Sequence, residues 1–220
     1  MPKVKLPRKS TNIDMTAMCD VAFLLLAFFI LTTKFKPAEA LTVTTPKSVS
    51  SEAVKAEDVV LITMDDKGKL YFSVSDENTE EKKEIIDVVD QLRNLGLTEE
   101  EKAAFVRAGS YVGVPFNKLK GYLGFTPEQI KGYEQEGIPV MDTLDNQMVT
   151  WIRAAKTAFQ GQKMNVMVKG DNNAKFPSFK GVIDALKKND ELKFQMITDP
   201  EGVPPGTELY RLQGERKPVE

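Results

Sequence analysis

The chain has no histidine. That one absence removes imidazole acid–base catalysis, the usual zinc sites and Ser-His-Asp triads. Cysteine is nearly absent as well. Cys19 stands alone, so no intramolecular disulfide can form and a disulfide-stapled secreted fold is excluded. There is no basic excess either. The 30 Lys and Arg against 32 Asp and Glu give a formal net charge of -2, which argues against nucleic-acid binding. Carboxylates are plentiful in the polar part of the chain, yet none is paired with a nucleophile, a metal cluster or a phosphate loop. No enzyme activity, metal or cofactor is therefore expected. Proton chemistry would fall on carboxylates, Lys, Tyr or water.

Long apolar runs are scarce too, and the one present is informative. Residues 1–12 are polar and basic, with Lys3, Lys5, Arg8 and Lys9 and no acid. Then every residue from Val21 to Leu31 is apolar. Counted from Met15 to Thr33, the segment has 19 residues. At about 1.5 Å each it reaches roughly 28 Å, close to the roughly 30 Å of a hydrocarbon core. That match requires Thr16 and Asp20 to be counted inside the span. A transmembrane helix over 13–33 is the expectation.

Asp20 is the sharp feature of this helix. A carboxylate in a membrane helix costs roughly 2.5–3.5 kcal/mol on insertion scales and marks a proton or ion path by default. Carboxyl groups in apolar surroundings hold their protons more tightly, so such a group can alternate between neutral and charged forms. Thr16, four residues earlier, shares its helical face and can lend a hydroxyl. Three other readings stand beside this one. Asp20 can be wetted at the interface where the helix begins. The N-terminus can be a secretory signal peptide cut at Ala38-Glu39-Ala40, although Lys34 and Lys36 are poor neighbours for a cleavage region. The apolar run can also be a buried core helix, which so small a domain could hardly cover on every side.

Beyond the helix, residues 34–58 read as a linker, in which LTVTTP alternates like a strand. From Val59 the pattern becomes globular. VVLITM and LYFSV flank DDKGK, good hairpin-turn chemistry. EEKKEIIDVVDQLRNLG reads as a helix with Ile85, Val88, Val89 and Leu92 on one face and Gly96 as its stop. The acidic run from Asp76 to Asp90 reads as a solvated face. NVMVKGD, FPSFKGVIDALKKN and LKFQMITD read as strand, helix and strand, with Phe179, Val182, Ile183 and Leu186 on the helix's inner face. KGDNNAKF is the connection between the first two. Met164, Met167 and Met196 read as core fillers, not metal ligands. Residues 97–162 read as a helical insertion. Thr98 opens a capping-box pattern, Thr126 precedes Pro and Gln in another, and Leu144, Met148, Trp151, Ile152, Ala155 and Phe159 form a stripe ending at Gly161. The fold class expected is α+β: a single N-terminal transmembrane helix, a linker, and a small two-layer α/β domain over 59–200, with helices on one side of a sheet. Residues 201–220 read as a C-terminal tail.

This order of features resembles the ExbD/TolR biopolymer-transport family. The family's helix opens with a pattern like N-x-T-P-L-x-D-V, and NIDMTAMCDV fits it at Asn12, Thr16, Asp20 and Val21. Ala17 stands where the family usually has proline. LTVTTPKS resembles the family's post-helix strand, and the segment from Asn165 to Asp199 resembles its closing strand–helix–strand. Residues 97–162 have no counterpart in short members. The resemblance implies a homodimer seated in the pore of a pentameric ExbB/TolQ-like polytopic membrane protein. It also implies Asp20 as the proton-binding residue, with Thr16 supporting the path, and a TonB/TolA-like protein as the element driven by proton motive force. The N-terminus would lie in the cytoplasm and the C-terminal domain in the periplasm of the inner membrane. The alternatives are a TolR-like subunit of the Tol-Pal envelope system, or an anchored or secreted periplasmic binding protein without proton transfer.

Overall fold

The computed structural model describes residues 15–32, 41, 43–49, 58–107, 109, 111–142 and 145–202. It divides into two compact units, residues 1–38 and 39–220.

The first unit contains helix α1, Met15–Thr32. It carries one charged residue, Asp20, and otherwise only apolar residues, two threonines and a cysteine. The expected span over 13–33 is thus narrower in its described part, since Ile13, Asp14 and Thr33 lie outside the described residues. The 18 residues of α1 correspond to about 27 Å. Among the described residues, no helix is long and apolar enough to cross a membrane.

The second unit is built on a five-stranded sheet in the order β4-β3-β2-β5-β6. Strands β2 (Val59–Met64) and β3 (Leu70–Val74) form the expected antiparallel hairpin, pairing Val60 with Val74 and Met64 with Leu70. Its turn closes through Gly68, at φ +81°, and a bond from the Lys69 amide to Asp65 Oδ1 at 2.7 Å. β5 (Asn165–Gly170) runs parallel to β2, and β6 (Phe194–Ile197) runs parallel to β5. Parallel neighbours need crossovers. Helix α7 (Phe176–Lys188) supplies the second, and the whole of 75–164 lies between β2–β3 and β5.

Alternation places Val60, Ile62, Met64, Leu70, Phe72, Val166 and Val168 on one face of the sheet, where they join a continuous core. Helices α2 (Thr79–Arg93), α6 (Met148–Ala158) and α7 cover that face with Ile85, Ile86, Val89, Trp151, Ile152, Val182 and Leu186. The two-layer expectation holds in this form. Residues 97–162 are more than an insertion laid on the core. They contain α3 (Glu99–Val106), α4 (Phe116–Leu123) and α5 (Pro127–Gly132), and they also supply edge strand β4 (Tyr111–Val112) and the central tryptophan. Trp151 is fully buried and stacks on Phe72, Phe105 and Phe116 at centroid distances of 5.0, 5.7 and 5.6 Å. Both capping boxes form, at Thr98 with Glu101 and at Thr126 with Gln129.

Some expectations change. α2 ends at Arg93 with Asn94 in the left-handed region, two residues before Gly96. It buries Lys82, Ile85, Ile86 and Val89, while Leu92 is 46% exposed. The inner stripe therefore follows i, i+3, i+4, i+7 from Lys82, and a lysine occupies an apolar position. Its Nζ lies 2.7 Å from Asp76 Oδ1, which also accepts the Gly109 amide at 2.8 Å. Met167 is buried, but Met196 on β6 is 49% exposed, because β6 has a neighbour on one side only. Leu144 lies outside the described residues. In LTVTTP the described residues 43–46 form no strand. Pro46 has no amide to donate and Thr44 spends its own groups elsewhere, so strand β1 is displaced to Lys47–Ser48. It pairs with β7, Asp199–Pro200, close to where the sequence suggests that a tail begins.

Two outcomes follow for the domain's stability. Trp151→Ala should cost about 3–5 kcal/mol in urea unfolding, because it empties the centre of the aromatic stack. For Asp76, burial pushes the carboxyl up, but the Lys82 bond, the Gly109 amide and the lysine charge outweigh it, and the net shift is downward. A depressed carboxyl stabilises above its unfolded value of about 3.9 and loses that contribution as pH falls through the lower folded value. Asp76→Asn should therefore lower stability by about 2 kcal/mol at neutral pH, less than a fully buried pair because Asp76 is partly exposed. The difference from the natural chain should vanish in strong acid.

Candidate functional site

α1 is the candidate. From Val21 to Leu31 its large apolar side chains are exposed on every side, from 53% at Leu25 to 84% at Leu31. A helix apolar all round is stable only inside a core, a bilayer or a partner. Within its own unit the described residues provide no such cover.

Asp20 is exposed on this helix and is its sole formal charge. Thr16 lies one turn earlier on the same face, as the i−4 spacing requires, and is also exposed. Three further residues continue that face at i+4, i+7 and i+11: Leu24, Ala27 and Leu31. The stripe thus runs from hydroxyl to carboxylate to apolar side chains. Near its end Thr32 Oγ1 donates back to the Phe28 carbonyl at 2.7 Å, so that hydroxyl is satisfied within the helix. The arrangement presents one carboxylate, a hydroxyl one turn away, and a steep boundary between polar and apolar surface.

Among its described residues the second unit offers no exposed apolar helix with a carboxylate. Groups in it whose proton affinity moves do so away from neutrality. Burial raises the phenols of Tyr71, Tyr111 and Tyr122. The bond to Asp87 lifts Lys102 to about 12, and the bond to Glu136 lifts Lys118. Lys69 holds Glu134 below the usual carboxylate range. Such groups stabilise the fold and are unsuited to carrying protons near neutral pH. Among the described residues no group of three or more His, Cys, Asp or Glu is placed to hold a metal. A cleft of about 170 Å³ opens beside α7 between Met141, Lys180, Asp184 and Lys188. Its buried polar residue, Asn146, is already engaged, donating to Gly181 O at 2.8 Å and accepting from the Met148 amide at 3.1 Å.

An exposed apolar helix with one carboxylate and a small α+β domain are the two parts that the described residues provide. Residues 7–114 match the family model described as "Biopolymer transport protein ExbD/TolR". This stretch, which holds α1, Thr16 and Asp20, carries the domain of the ExbD/TolR family, whose members are transport accessory proteins anchored in the inner membrane. The match continues past Leu97 to residue 114, so the first part of 97–162 falls inside it, while the closing strand–helix–strand falls outside. The chain matches no curated protein and no solved structure at a significant level.

If α1 is the only part that needs apolar surroundings, removing residues 1–38 should free the protein from detergent. The remaining domain should stay monodisperse in water and keep the thermal midpoint of the full chain. A lowered midpoint would show that the helix contributes to the domain's packing.

Proposed function

We propose that this chain is the proton-binding subunit of an inner-membrane energy-transducing complex of the ExbB–ExbD type. In this reading α1 crosses the membrane within a pentameric polytopic partner, the N-terminus is cytoplasmic, and the sheet domain is periplasmic. Two copies sit together, and a TonB/TolA-like protein receives the work. The observation that carries the reading is the lone Asp20 carboxylate on a helix whose other surfaces demand apolar cover. Partner helices would supply that cover, and they would also shorten the distance α1 has to bridge alone. The positive-inside bias is weak, because Lys34, Lys36 and Lys47 follow the helix, so orientation rests on the family likeness.

The energetics are adequate. Each elementary charge that crosses releases about 2.3 kcal/mol per 100 mV. A charged carboxylate prefers a wet, polar face of the partner and a neutral one an apolar face, so each protonation step changes which orientation of α1 is favoured. Cyclic protonation then becomes motion. Thr16 would support the path by offering a hydroxyl to the carboxyl group one turn away. ExbD-like and TolR-like subunits would both use these parts, so the chain fits a TonB-dependent transport complex and a TolR-like role in the Tol-Pal envelope system alike. Of the two, transport is preferred.

Asp20→Asn keeps the shape and removes the titration. It should reduce energised outer-membrane uptake to background in cells that rely on this chain, with membrane level and partner co-purification unchanged. Thr16→Val should weaken uptake and Thr16→Ser should retain it. Unchanged uptake with Asp20→Asn would refute the proton role. Loss of envelope integrity with intact uptake would assign the TolR-like role. A mature mass lacking residues 1–40 would instead establish the secreted binding protein.

A further inference from the structure

The segment after α1 is not a plain spacer. Within residues 39–220, Val43–Ser48 lies against the sheet domain through backbone groups. The Thr44 amide donates to Asp171 Oδ2 at 2.9 Å, and the Thr44 carbonyl accepts the Asn172 amide at 2.9 Å. The Asp199 amide donates to Pro46 O at 3.0 Å and the Glu201 amide to Ser48 O at 2.9 Å. Lys47 and Ser48 pair in parallel with Asp199 and Pro200. Apolar burial along the stretch is partial: Val43 and Pro46 are half-buried, while Thr44 and Lys47 are exposed. Thr45, 7% exposed, is the one buried residue of the stretch. The Lys47–Glu201 pair is 4.0 Å apart with both side chains exposed, so it adds little.

We infer that Val43–Ser48 is a clasp that opens under tension and lengthens the tether between α1 and the sheet domain. The direction of the strands decides how it opens. The chain reaches β1 from the α1 side and β7 from β6, and in a parallel pair the two strands start at the same end. Tension arriving along the chain from α1 therefore meets the bonds one after another. Thr44 separates from Asp171 and Asn172 first, Pro46 from Asp199 next, and Ser48 from Glu201 last. A clasp that peels in this way yields at lower force than the sheet, whose strands are locked by a buried core. Asp171 survives the event, because its other oxygen holds its own turn through the Asn173 amide at 2.9 Å. Opening moves the tether's attachment from Val43 to Asp58, and 15 residues of chain, fully extended, add at most about 50 Å of reach. The clasp thereby separates a short-tether state from a long-tether state without unfolding the domain. It holds whether or not Asp20 moves protons.

Magnetic-tweezers extension of the full chain in detergent micelles tests this. Handles are attached at Ala38→Cys and Lys187→Cys in a Cys19→Ala background. The expected trace shows a reversible first step of at most about 50 Å, at lower force than the unfolding of the sheet domain. Thr44→Pro, Asp199→Pro and Glu201→Pro together remove three of the four donors. They should abolish the first step and leave domain unfolding in place. A single unfolding event in the natural chain, or a first step unchanged by the three prolines, would overturn the clasp. Should the triple variant fail to fold, Thr44→Pro alone must lower the force of the first step, and an unchanged force would overturn the clasp equally.

Discussion

A single carboxylate on a helix that otherwise demands apolar surroundings is the constraint on which the proposed function rests. The side chains from Val21 to Leu31 gain by leaving water, and Asp20 loses by it unless it is protonated or supplied with polar partners. No arrangement of α1 alone satisfies both. The helix needs a neighbour that is apolar along most of its length and polar at one level. In the proposed reading, that need makes the chain a subunit of a larger complex, and it would tie the protonation state of Asp20 to which side of the neighbour the helix prefers.

The sheet domain is built on the opposite principle. Asp76, Lys102 and Glu134 are each held by an oppositely charged partner that shifts them away from neutrality. Lys82 illustrates the contrast with Asp20. Both are charged residues at apolar positions of a helix, but Lys82 has Asp76 beside it and is locked, while Asp20 has no charged neighbour on α1. A rigid domain centred on Trp151 suits an element that passes on force. The clasp at Val43–Ser48 places the compliant part of the second unit between that domain and the helix, where a change of tether length costs no core contact.

Local rules made much of this legible from the residues. The β2–β3 hairpin, both capping boxes, α7 and the inward stripe of α6 follow from turn chemistry, caps and periodicity, all of which act within a few residues. Asp20 and Thr16 stand out as candidates for the same reason: a carboxylate beside an apolar run, and a hydroxyl one turn from it. What could not be read depends on distant partners. Lys82 is buried because Asp76 and Gly109 meet it, so its helix turns that face inward and leaves Leu92 outside. LTVTTP alternates like a strand, yet Thr44 is claimed by Asp171 and Asn172, more than a hundred residues away. Residues 97–162 looked separable because their caps are self-contained. Their contribution to the sheet, a two-residue strand, and to the core, the stack around Trp151, appears only when the chain is closed up.

The central claim is that Asp20 takes up and releases a proton while α1 is held by its partner. Infrared difference spectroscopy of the membrane-embedded complex, with the bath pH stepped up and down, reads this directly. The predicted result is a reversible carboxylic-acid band that is missing when Asp20 is replaced by Asn. A spectrum with no such band, or one that Asp20→Asn leaves intact, would contradict the claim.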